Sequence, residues 1–88
     1  MSNPIHPGDG TYRMTSDGQQ TAGRTMDMQI VGDSLTCVLG VFNWNPPPVA
    51  AFVNVADPNS AIEFQLDDRV NVIVNGNGHS GTFAPLPA

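Results

Sequence analysis

Met26-Asp27-Met28-Gln29-Ile30-Val31-Gly32-Asp33-Ser34-Leu35-Thr36-Cys37 alternates apolar and polar residues on both sides of a Gly-Asp pair. Alternation of period two puts every second side chain on one face of a strand. A glycine at the first central position suits a two-residue type II′ turn, whose twist matches the strands it joins. With Gly32-Asp33 as that turn, Ile30 faces Leu35, Met28 faces Cys37 and Met26 faces Leu39. Apolar meets apolar at each step, and a slip of one residue would send the whole set to the other face. The stretch reads as a β-hairpin with one buried face. Its second strand runs on through Leu39 and Val41, with Val38 and Phe42 on the opposite side.

The same logic extends in both directions. Upstream, Tyr12 and Met14 share a face, Asp17-Gly18 suits a type I′ turn, and a bulge at Gly23 restores the alternation ahead of Met26. Downstream of Pro46-Pro47-Pro48, three runs alternate: Val49, Ala51, Val53 and Val55; Ile62, Phe64 and Leu66; Val70, Val72 and Val74. A loop at Asp57-Pro58-Asn59-Ser60 matches Val55 with Ile62, Val53 with Phe64 and Ala51 with Leu66. A three-residue loop, Asp67-Asp68-Arg69, matches Leu66 with Val70, Phe64 with Val72 and Ile62 with Val74, whereas a two-residue turn would set Phe64 against Asn71. Prolines cannot donate to a ladder, so Asn45-Pro46-Pro47-Pro48 is a corner.

The expectation is an all-β chain with little or no helix. Two three-stranded antiparallel meanders form a small β-barrel or β-sandwich. Residues 1–10 read as a loose N-terminal leader, 11–84 as a single domain with a short extra segment near Thr82 to Ala84, and 85–88 as a tail. Gly10-Thr11-Tyr12 ahead of a meander resembles the start of calycin-type barrels. A likeness of three residues selects no ligand.

Composition narrows the function classes. The chain has 88 residues, 40% hydrophobic and 12% charged, enough for one core. It has no lysine: Arg13, Arg24 and Arg69 stand against eight acidic residues, for a net charge of −5. Three scattered arginines build neither the basic stripe that nucleic acid needs nor a polybasic membrane contact. The longest apolar run, Val49 to Val53, is far too short for a spanning helix, and Met1-Ser2-Asn3-Pro4 lacks a signal layout, so a cytoplasmic protein is expected. A lone Cys37 and the lack of any Asn-x-Ser/Thr site fit a reducing compartment.

Four candidate sites emerge. Val38, Phe42, Phe52 and Ile73 lie out of phase with the core set and would form an outer apolar patch. Lysine commonly guards sheet edges, so its absence points to edges that are closed or paired. The leading expectation is therefore a non-catalytic module that associates with itself or with another protein through that patch. The alternative is a small-ligand barrel with a pocket lined by Met14, Met26 and Met28. A further alternative is a carbohydrate module centred on Trp44, with Asn43 and Asn45 orienting a sugar; against it, the indole can simply plug one end of the core.

The sulfurs of Met14, Met26, Met28 and Cys37 would suit Cu(I), but they occupy inward positions with no histidine near in sequence, so no metal or cofactor is expected. Asn75 to Gly81 lacks the lysine and the following helix of a phosphate loop, and reads as a long hairpin or loop. The acids Asp17, Asp33, Asp57, Asp67 and Asp68 fall at turns, where bonding to the turn backbone accounts for them. With no triad, metal motif or cofactor loop, the chain is expected not to be an enzyme.

Overall fold

A computed structural model describes residues 4–18 and 22–87. The chain is all β, with no helix among the described residues. In order come β1 (Pro4–Ile5), β2 (Gly10–Ser16), β3 (Thr25–Val31), β4 (Ser34–Cys37), β5 (Gly40–Asn45), β6 (Ala51–Asn54), β7 (Ala61–Gln65), β8 (Arg69–Val74) and β9 (Asn77–Pro85). Each strand from β2 onward pairs antiparallel with the next, and β9 returns to β2. Eight strands thus close a barrel, not a sandwich.

The Gly32-Asp33 turn forms as read, with Val31 opposite Ser34, Ile30 opposite Leu35 and Gly32 at φ +59°. The strand after it is shorter than expected. The chain reverses at Val38-Leu39, pairing Cys37 with Gly40 and Leu35 with Phe42. Directly opposed residues point to the same side of a sheet, so Phe42 joins Leu35 inside and is fully buried. Met26 faces Met14, not Leu39.

A register shift also moves Phe52. Asn54 Oδ1 accepts the Ala56 and Asp57 amides, and the Asn54 amide donates to the Ser60 carbonyl, so the loop claims more residues than four. Phe52 then sits opposite Ile62 where Val55 was expected, an odd displacement that turns Phe52 inward and Val55 out. At the next turn the loop is Leu66-Asp67-Asp68, with Asp68 at φ +64°, and Phe64 meets Val70. That displacement is even, so Ile62 and Phe64 keep their inner face and only Leu66 is expelled, at 66% exposure.

Between β2 and β3, the Ser16 amide donates to Arg24 O and the Gly23 amide to Ser16 O, both at 2.8 Å. Gly23 and Arg24 together oppose Ser16, with Gly23 at φ +84°, which is a bulge of the kind expected. The connection is longer than a two-residue turn at Asp17-Gly18, and residues 19–21 lie outside the described residues. Asn75-Gly76 forms a type I′ turn, with φ of +51° and +84°. Of the two readings of Asn75 to Gly81, a long hairpin or a loop, the hairpin forms: the stretch is this turn and the first half of β9.

Of the expected loose leader, residues 4–10 are fastened to the wall, and residues 1–3 lie outside the described residues. β6 reaches β7 only at Ala61 and Ile62, because the proline corner leads the chain away, and β1 takes the vacant lane at Phe64 and Gln65. His6 Nε2 donates to Gly32 O at 2.9 Å while its Nδ1 accepts the Gly8 amide at 3.0 Å, which fixes the tautomer. The Tyr12 hydroxyl lies 2.9 Å from Pro7 O and 3.0 Å from Gly8 O. The start of the expected tail is held too: Pro85 belongs to β9, and the Leu86 amide donates to Thr11 O at 2.8 Å, while Ala88 lies outside the described residues.

The closed wall encloses Met28, Ile30, Leu35, Phe42, Phe52, Ile62, Phe64 and Val70, all fully buried. Burial of each such side chain contributes about 1.5–3 kcal/mol. The Phe64 ring is central, with centroids 4.8 Å from Phe83, 5.8 Å from Phe52 and 6.2 Å from Tyr12.

Candidate functional site at the barrel mouth

Strand alternation fills the barrel from one end and leaves the other open. At the filled end, by the proline corner, Trp44 packs its half-buried indole 5.0 Å from the His6 ring and 5.1 Å from Phe52. Asn43 is exposed on the outer face, and the Asn45 amide turns back to Asn43 O at 3.2 Å. Trp44 thus packs against the core on the inner side while Asn43 faces outward, so the two do not converge on one ligand.

The open end lies where β2 finishes, β3 begins and the Val38-Leu39 and Asn75-Gly76 turns meet. Two cross-strand pairs line it: Met14 with Met26, and Val72 with His79. The inner row of β9 reads His79, Gly81, Phe83. Phe83 belongs to the buried core, while Gly81 presents no side chain. A Cβ there would strike the Thr15 carbonyl oxygen and come within 3.1 Å of Met14 Cε. Leu39 reaches in from its turn, and Ser16 and Arg24 stand at the rim, together enclosing an open cleft of about 320 Å³. Its lining is dominated by thioether and aliphatic carbon.

The charges around the mouth are mostly committed. Arg13 grips Asp27 through two bonds, Nε to Oδ1 at 2.7 Å and Nη2 to Oδ2 at 3.2 Å. This holds the Asp27 carboxyl below the ordinary carboxylate range and raises the guanidinium. Asp17 accepts from Ser80 Oγ at 2.8 Å and from Arg69 at 2.7 Å, and these bonds, Ser80's first, lower its carboxyl as well. Arg24 has no carboxylate partner among the described residues.

Of the outer patch read from the sequence, Phe42 and Phe52 are core residues, fully buried by the registers described above. Ile73 is half-buried and Val38, at the tip of its turn, is 86% exposed, so the four do not form one surface. Of the three methionines, Met14 and Met26 line the cleft, whereas Met28 is packed in the core. Cys37 is half-buried, and burial pushes its thiol up. Among the described residues no group of three metal-ligating side chains converges.

Sequence reasoning missed Arg24, Leu39 and His79. The Asn75-Gly76 pair carried the signal for His79, since a type I′ turn there sets His79 against Val72 on the inner face. Leu39 had no such signal, because Val38-Leu39 carries none of the usual turn residues. No helix among the described residues is long and apolar enough to cross a membrane. No protein family, curated protein or solved structure matches the chain.

Proposed function

We propose that the protein is a non-catalytic binding barrel that holds a small apolar molecule at its open end. The cleft floored by Met14, Met26 and Val72 carries this reading. Its volume of about 320 Å³ is at the small end of the roughly 300–1,000 Å³ spanned by ligand sites. Thioethers suit such a role because they are polarisable and adapt to more than one shape. The reading of association through an outer apolar face lost its support when Phe42 and Phe52 took core positions.

A titration with 1-octanol, followed through the methyl signals of the methionines, tests the proposal. The Met14 and Met26 methyls are expected to move in a saturable way while that of Met28 stays in place. Uniform small drifts, or a response centred on Met28, would show that the cleft is not a site.

A further inference from the structure

We infer that the ligand is an amphipathic monoanion, a short apolar tail ending in a carboxylate, and that Arg24 holds the head group. This rests on the cleft being a binding site and adds what the rim selects. Arg24 lines the cleft next to Thr25 and Met26, in alternate position with Met26 at the head of β3. Its backbone is fixed by the bulge, through the 2.8 Å bond that Ser16 N–H donates to Arg24 O, while its guanidinium has no carboxylate partner among the described residues.

The surrounding acids do not compete for it. Asp27 is clamped by Arg13, and Asp17 by Arg69 and Ser80. Asp57, beyond Leu39, is bonded to Ser60 Oγ at 2.9 Å and to the Asn59 amide at 3.0 Å. In a chain of net charge −5, the mouth is thus a local place where one positive group faces an apolar cleft. A guanidinium binds a carboxylate through paired hydrogen bonds. His79 adds a second nitrogen-bearing side chain at the same rim.

At about 30 Å³ per water-sized atom in a liquid, a cleft of about 320 Å³ admits about ten non-hydrogen atoms. Octanoate and 1-octanol, alike in chain length and unlike in charge, are the matched probes.

The 88-residue chain and its Arg24→Gln and Arg24→Lys variants are titrated with sodium octanoate and with 1-octanol at low and high salt. Octanoate is expected to bind about tenfold more tightly than octanol, the strength of one charge-assisted bond. That preference should vanish in Arg24→Gln, persist in part in Arg24→Lys, and shrink in high salt. Equal affinities for the two probes, or a preference that survives Arg24→Gln, would overturn the anionic head group and leave the apolar cleft standing. Failure of both probes to shift Met14 or Met26 would overturn both. An unmoved Met28 methyl shows that each variant is folded.

Discussion

Gly81 lies opposite both Ser16 and Val70, where β9 is flanked by β2 and β8, and its amide neighbours leave no room for a side chain. A methyl there meets backbone, the Thr15 carbonyl, which cannot swing away as a side-chain tip could. Gly81→Ala is therefore expected to cost about 3 kcal/mol or more, at the upper end of overpacking effects. Gly76→Ala is a useful contrast: its Cβ would meet nothing within 4 Å, and only the positive φ of +84° resists it, at about 1–2 kcal/mol. Urea midpoints of the two variants test the ranking, and equal losses would contradict the close approach at Gly81. Charge at single residues gives a second expectation. Asp17 and Asp27 both have lowered carboxyls when folded. A depressed folded value makes the unfolded chain the better proton binder, so their contribution is present above the ordinary carboxylate range, near about 4, and is lost as pH falls below it. Stability measured from pH 6 down to 2 should decline less steeply in a variant carrying Asp17→Asn and Asp27→Asn than in the natural sequence.

At the scale of elements, β1 is held by two ladder residues and one side chain. His6 bonds Gly32 O, lies 3.5 Å from Asp33 Oδ1, and covers Trp44 and Phe52. His6→Ala is expected to remove about 1–2 kcal/mol and to shift Trp44 emission to longer wavelength as water reaches the indole; an unchanged spectrum would mean that β1 does not shield that end. None of this was legible in Pro4-Ile5-His6, because the lane β1 fills exists only after the proline corner has led β6 away from β7. Alternation made the inward set of β2, β3, β7 and β8 legible, since even shifts of register preserve a face. The β6 face failed because Asn54 side-chain bonds lengthened the loop, and the β4–β5 reversal failed because Val38-Leu39 looks like continuing strand. The cleft was half legible: the Met14 and Met26 positions follow from alternation, but the rim depends on which arginine has no carboxylate partner among the described residues, and that is decided by contacts across strands. Leu39, part-exposed between the apolar cleft and a more polar hollow at Asn54 and Ser60, follows from the same hidden turn.

For the molecule as a whole, closure explains the missing lysines. A sheet with free edges exposes unpaired amides and carbonyls that invite another chain, and lysines on an edge strand are one common defence. Here β9 pairs with both β2 and β8, and β7 with both β6 and β8, so the long edges are gone. What is left among the described residues is short: the outer side of β1, Asn77 to His79 of β9, where β2 has ended at the Ser16–Gly81 pair, and Thr25 to Met28 of β3, which run past the end of β4. Edges of two to four residues give another strand little to pair with. The exposed valines Val31, Val38, Val49 and Val55 belong to separate turns and strand ends and do not replace the lost patch. The chain is accordingly expected to scatter light as a monomer of 9.3 kDa at concentrations up to the millimolar range, and to do so equally at low and high salt. A mass that doubles with concentration would instead point to the Val38 tip, the most exposed of the apolar residues, as a contact. In that event Val38→Asn should restore the monomer without loss of stability, because a side chain 86% exposed contributes almost nothing to the fold.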